Sequence, residues 1–296
     1  MEGRLLLATI VVTGTGDAIA DDGIVTLREA ITAANTNAAS GDAPAGNTGL
    51  DAIAFNIPGA GVQAITVQSE LPTITDPVTI DGYTQHGASA NTLATGSDAV
   101  LRIEIDGPGS GGDITGLTVD AGDSTLRGLV IDRFTIGIIA DSDRNVIAGN
   151  YIGVDAEGNE GPGNVMFYGI EVRSGANNIV GGTSAAARNV VSGNIYQNIT
   201  VAGNNTADGV PVPSAPSATL IQGNYIGANA AGTGRVDVAG QTQGAGVSRL
   251  IGSGRDKRSS PAHFSLFLPE HQSALRPVTN FPRARRQLAR RPVLDS

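Results

Sequence analysis

The pentapeptide Gly149-Asn150-Tyr151-Ile152-Gly153 returns unchanged 74 residues later as Gly223-Asn224-Tyr225-Ile226-Gly227. Each copy runs on into a related segment, Val154-Asp155-Ala156-Glu157-Gly158 and Ala228-Asn229-Ala230-Ala231-Gly232. A partial copy, Asn189-Val190-Val191-Ser192-Gly193-Asn194, aligns with Asn145-Val146-Ile147-Ala148-Gly149-Asn150 at an offset of 44. A looser template sharpens the period: Gly, a short apolar strand, a polar stretch, a second short strand, then Gly. It fits Gly116-Leu117-Thr118-Val119 with Ser124 to Gly128, and fits again 21 residues on at Gly137-Ile138-Ile139 with Asn145 to Gly149. Gly169-Ile170-Glu171-Val172 with Asn178 to Gly182, and Asn198-Ile199-Thr200-Val201 with Thr219 to Gly223, repeat it with inserted loops. Strands this short cannot hide an apolar face alone, so they must stack on copies of themselves. A unit near 21 residues with no helical segment predicts an all-β parallel solenoid. Leucine-rich repeats share the period but need a Leu-x-x-Leu-x-Leu consensus that is missing, and propeller blades need a Trp-Asp signature in a chain without Trp. Gly, at 41 residues, and Asn suit the corners because they tolerate positive φ.

Near residue 26 the pattern changes. Thr26-Leu27-Arg28-Glu29 has the spacing of a capping box, and Leu27, Ala30, Ile31 and Ala34 fall on one helical face. These predict a short amphipathic helix over 26–35 that covers the open end of the stack, since a bare edge strand is an aggregation template. Strands are expected at Ala8–Thr13, Ala52–Ile57, Ala64–Val67, Val78–Ile80 and Leu101–Ile105. Leu5–Val12 also reads as the apolar core of a secretion signal, a weak case with eight residues after one Arg and no A-x-A-like cleavage site.

Ile24-Val25-Thr26-Leu27-Arg28-Glu29-Ala30-Ile31-Thr32-Ala33-Ala34-Asn35 resembles the CSLREA motif of large bacterial surface proteins, with Val25 and Thr26 in place of Cys and Ser. Leu71-Pro72-Thr73-Ile74-Thr75-Asp76-Pro77-Val78-Thr79-Ile80-Asp81-Gly82-Tyr83-Thr84-Gln85 follows it as in that family, and the likeness covers about 8–247. Met1-Glu2-Gly3-Arg4-Leu5-Leu6-Leu7 is similar to a short LEPR-XLL segment of planctomycete surface proteins, which implies a start lying upstream. What the resemblance implies is a right-handed parallel β-helix of the pectin-lyase-like type, exported to the cell surface or beyond, mostly without assigned activity.

Ile80-Asp81, Ile105-Asp106 and Ile131-Asp132 end three expected strands at spacings of 25 and 26. If the strands stack, Asp81, Asp106 and Asp132 form a column with rungs ~4.8 Å apart. Repulsion between neighbours is then about 1 kcal/mol in water and 3–4 kcal/mol at an effective dielectric of 20. Backbone N–H groups at turns would offset it, and so would calcium, the one cofactor this pattern suggests. Asp17, Asp21 and Asp22 form a second oxygen-rich group.

Enzymes of this fold class that cleave acidic polysaccharides use paired carboxylates, or a base with calcium or arginine. The Gly-His-Gly and Arg-Ile-Lys tripeptides of the polygalacturonases are absent. Arg102, Arg127, Arg133, Arg144 and Arg173 are possible uronate partners, although Arg127 and Arg133 read as surface residues flanking a strand and Asp141 and Asp143 as a solvated turn. His86 reads as a loop residue, and Gly107–Gly112 lacks the Lys-Ser/Thr of a phosphate loop. Asn198-Ile199-Thr200 and Asn204-Asn205-Thr206 fit the glycosylation sequon.

Charge marks a boundary. Residues 1–248 carry 25 acidic and 9 basic side chains, a net of −16, and 249–296 carry 3 and 10, a net of +7, which together give the −9 of the chain. An acidic body argues against a nucleic-acid partner. The Pro- and Arg-rich 248–296 is expected to be a disordered basic tail, after the segment 1–7 and a β-helix over 8–247. The absence of Cys excludes disulfides and thiolate-bound metals. No apolar run reaches the length of a transmembrane helix. The expected function is a non-catalytic surface protein, structural or binding polysaccharide or cell-surface glycan, as a monomer or part of a larger surface protein. A lyase or hydrolase acting on acidic polysaccharide is the alternative.

Overall fold

The structure, a computed structural model, describes residues 7–108, 114–159, 166–203, 216–236, 245–251 and 264–265. Strand β1 (Thr9–Val12) leads into helix α1 (Leu27–Thr36), then β2 (Asp51–Phe55), β3 (Gln63–Thr66), β4 (Val78–Asp81), β5 (Ile103–Asp106) and β6 (Thr115–Val119). Shorter connections follow through β7 (Thr125–Arg127), β8 (Leu129–Asp132), β9 (Ile136–Ala140), β10 (Val146–Ala148), β11 (Tyr151–Ile152) and β12 (Tyr168–Val172). The remaining strands are β13 (Ile179–Gly181), β14 (Val190–Val191), β15 (Gln197–Gly203), β16 (Leu220–Gln222), β17 (Tyr225–Ile226), β18 (Ala245–Ile251) and β19 (Phe264–Ser265).

These strands form three parallel sheets, ordered β1-β2-β4-β7-β10-β13-β16-β19, β3-β5-β8-β11-β14-β17 and β6-β9-β12-β15-β18. From β6 onward the chain visits the third, first and second sheet in unbroken rotation. Parallel pairing of strands this short works because each carries an apolar residue that lands in register with the next. Ile53, Ile80, Leu126, Ile147, Val180 and Ile221 form such a column in the first sheet. Ile65, Ile105, Ile131, Ile152 and Val191 form one in the second, and Leu117, Ile138, Ile170 and Ile199 one in the third. All are at most 3% exposed and belong to one core. Burying each such side chain is worth about 1.5–3 kcal/mol.

The 21-residue offset is the step from Leu117 to Ile138 and from Thr125 to Val146. The 74-residue repeat spans two steps, because Tyr151 pairs with Val190 and Val190 with Tyr225. The partial copy falls elsewhere than the offset of 44 puts it: Val190 lies over Tyr151 and not over Val146, so Asn189 is the counterpart of Asn150. Both Asn-Val pairs precede a short strand, and only the pairing tells the two corners apart.

Those asparagines are structural. The Asn150 side-chain oxygen accepts the Leu129 N–H (3.1 Å), that of Asn189 accepts the Asn150 N–H (2.8 Å), and that of Asn224 accepts the Asn189 N–H (3.2 Å). Their amide groups donate to the Leu126, Ile147 and Val180 carbonyls, which ties each corner back to a strand of the first sheet. A second ladder runs from the Ser124 N–H to Asn145 and from the Asn145 N–H to Asn178. Gly149 and Gly223 precede the outer rungs at φ 71°, where an L side chain is strained.

Helix α1 starts and packs as its sequence dictates. The Thr26 hydroxyl accepts the Glu29 N–H, and the Glu29 carboxylate accepts the Thr26 N–H (2.8 Å) and the Ala20 N–H (2.7 Å). Leu27, Ala30, Ile31 and Ala34 are buried in the same core as Ile10 and Val12, with the helix lying on β1 and β2 at the edge of the first sheet. Strand pairing continues past residue 247, since β18 stays in register with β15 as far as Ile251 and β19 pairs with β16. The rest of 248–296, where a disordered tail is expected, and residues 1–6 lie outside the described residues. Among the described residues no helix is long and apolar enough to cross a membrane.

Candidate functional site

On the second sheet, alternation sends Ile105 and Ile131 inward and their neighbours Glu104, Asp106, Val130 and Asp132 to the outer face. This face is not bare. Leu101, Val130, Tyr151, Val190 and Tyr225 join Val154, Ala228, Ala230 and Val236 in a second apolar cluster. The loop between β4 and β5 is tied over it: the Tyr151 hydroxyl bonds Ser97 (2.8 Å), the Tyr225 hydroxyl accepts the Gly96 N–H (2.6 Å), and Tyr83 donates to the Gly149 carbonyl (2.7 Å). Arg188 stacks on Tyr225 and donates to the carbonyls of Leu93, Ala94 and Gly96.

Beside this cluster, Glu104, Asp106 and Asp132 each place a carboxylate oxygen within 4.8 Å of the others. Asp106 and Asp132 are register partners, as the stacking of their strands requires. Arg133 takes a left-handed backbone (φ 60°) just after β8, and its guanidinium grips both oxygens of Asp106. The Thr66 hydroxyl also reaches Asp106 (3.3 Å). Asp132 has no such help: it is 6% exposed, and its Oδ1 has no hydrogen-bond partner. Burial, and then the charges of Glu104 and Asp155, push its carboxyl up from 3.8 to about 7. Glu104 is also raised, first by burial, with Arg133 opposing and Asp155 and Glu157 adding to the shift.

Asp81 does not join the column expected of it. It belongs to the first sheet, level with Ala54 and Arg127, whereas Asp106 and Asp132 lie on the second. There it is paired with Arg127 (2.6 Å) and accepts the Tyr83 N–H. Its similar spacing in sequence reflects the step between strands of different sheets. Glu104 takes the third place instead. Its signal was the alternation Glu104-Ile105-Asp106, which puts both acids on one strand face, and Arg133 follows directly on the second aspartate. Arg127 and Arg133, read as plain surface residues, are the partners of two of the three aspartates.

Most of the remaining candidates are accounted for by local structure, but Asp141, expected in a solvated turn, has a buried Oδ1 without a hydrogen-bond partner. Asp17 is held by Arg28 (2.9 Å) and the Gln68 N–H, and Asp22 accepts the Ile24 N–H. Arg144 pairs with exposed Asp123, Asp143 accepts the Ala176 N–H, and Arg173 pairs with Glu171. Arg102 donates to the Gly87 carbonyl, and His86 lies exposed in the loop. Asn198 is 1% exposed and accepts a bond from Asn194, so its sequon is inaccessible. Asn204-Asn205-Thr206 and most of Gly107–Gly112 lie outside the described residues.

A different feature stands on the third sheet. At the starts of β12 and β15 the Phe167 and Tyr196 rings stack at 5.0 Å and 21°, and Tyr168 tilts against Tyr196 at 5.8 Å. The chain has only five Tyr, six Phe and no Trp, so three aromatics in one patch is a concentrated use of them. Tyr196 is 54% exposed, which makes the patch a shelf and not core. Gln197 and Thr200 follow on β15, and Glu171 and Arg173 on or just beyond β12.

The chain matches no protein-family model and no curated protein.

Proposed function

We propose that the chain is a closed right-handed parallel β-helix that works as a non-catalytic, exported or cell-surface scaffold binding glycan on its third sheet. The closed form is supported by the rotation of the chain through three parallel sheets around one core. The hand follows from the strong right-handed preference of parallel crossover connections. The CSLREA-like helix start adds export and the cell surface. The observation that carries the binding function is the shelf of Phe167, Tyr168 and Tyr196, on which Tyr196 is exposed and the other two rings are half-buried. The weakly polarised C–H face of a sugar ring stacks on the electron-rich face of an aromatic ring, and nearby polar groups then fix the hydroxyls.

Polysaccharide cleavage is the weaker reading. It asks for carboxylates that a polymer can touch, and Asp106 and Asp132 are only 4% and 6% exposed. Binding is tested by affinity electrophoresis and a glycan array spanning neutral and acidic polysaccharides. Tyr196→Ala, at an exposed position, should weaken retention at least ~10-fold, the scale of losing one aromatic anchor. A blank array, or retention equal in wild type and variant, overturns the binding function. Release of unsaturated or reducing ends, abolished by Asp106→Asn or Asp132→Asn, would establish the enzyme instead.

A further inference from the structure

We propose that Glu104, Asp106 and Asp132 bind a hard divalent cation, calcium foremost, on the outer face of the second sheet. This site is separate from the aromatic shelf and does not depend on the glycan reading. Two independent observations carry it. The first is convergence: three carboxylate oxygens lie within 4.8 Å of one another, held by strands whose register is fixed by the core columns beneath them. The second is an unmet need: Asp132 is 6% exposed, its Oδ1 is buried without a hydrogen-bond partner, and its carboxylate is one of the three that converge there. A buried polar oxygen left unpaired is destabilising, and more so when charged.

Charge favours a cation over a proton as the missing partner. Asp155 and Glu157, on the turn after β11, add to the negative field on Glu104, and Arg133 is the basic group that field meets. One proton on Asp132 would neutralise one carboxylate and leave the rest. A divalent ion neutralises two and supplies Oδ1 with a partner. The grip of Arg133 on Asp106 does not exclude this, because a carboxylate has about four lone-pair sites and can serve a guanidinium and a metal together. A donor set of carboxylate oxygens selects calcium, magnesium or manganese over zinc or copper. Calcium suits it best, because its flexible six- to eight-oxygen shell is readily completed by water on the Glu104 side, which is half-buried.

The test is calorimetric titration of the chelator-treated full chain with calcium and magnesium, with terbium luminescence excited through tyrosine as a second readout. Tyr151, in register with Val130 two residues from Asp132, is positioned to sensitise it. One calcium site is expected, with Kd near ~10⁻⁴ M, as in extracellular modules. Glu104→Gln, at a half-exposed position that should not disturb folding, is expected to weaken it at least ~10-fold, and Asp132→Asn to abolish it. Asp81→Asn, on the first sheet, should bind as wild type. The proposal fails if no cation binds up to about 10 mM, an order of magnitude beyond the weakest such modules. It fails equally if both site variants bind like wild type, or if an infrared band of a protonated carboxyl, absent from Asp132→Asn, persists in saturating calcium.

Discussion

At the scale of single residues, Asp132 should govern how stability responds to acid. Its carboxyl is raised from 3.8 to about 7, so between those values the folded chain holds a proton that the unfolded chain has released. Stability therefore falls as pH rises from about 4 to 7 and levels off above, with a total of ~4 kcal/mol at 1.36 kcal/mol per unit. Urea unfolding of chelator-treated protein at stepped pH should show this slope as the difference between wild type and Asp132→Asn, which is flat for this group. Identical profiles would mean that Asp132 is solvated. Both site aspartates, Asp106 and Asp132, were legible in the sequence because they end strands one step apart. Asp81 looked the same and was not, since spacing alone does not say which sheet a strand joins.

At the scale of elements, the β4–β5 loop shows what a repeat template hides. The strands, the capping box and the apolar face of α1 were readable, because each depends on residues within one turn or one step of each other. The loop was not, because its fastenings are distant in sequence: Tyr225 bonds Gly96, and Arg188 bonds three carbonyls between Leu93 and Gly96. Arg188→Ala removes those bonds and the stacking on Tyr225 (4.9 Å). A loss of about 1–3 kcal/mol is expected in urea unfolding, with new proteolytic cleavage inside residues 85–100. Unchanged protection of the loop would show that the tyrosines alone hold it down. The acidic site sits beside this cover, and only the fold reveals that Asp155 is its neighbour.

At the scale of the whole molecule, eight parallel strands in the first sheet at about 4.8 Å each span about 34 Å along the stack. A closed tube of that build should give small-angle scattering of an elongated particle and a circular dichroism spectrum dominated by strand. A helix-rich spectrum or a spherical profile would exclude it. The asparagine ladders carry a last consequence for how such a chain can change. Asn150, Asn189 and Asn224 each hand a bond to the rung before, so a residue gained or lost between a rung and its strand would break the bonds on both sides. Lengthening between Asp155 and Tyr168 leaves every rung in place. Variation in related sequences should therefore come as whole windings or as expanded loops, and hardly ever as single-residue slips beside a ladder.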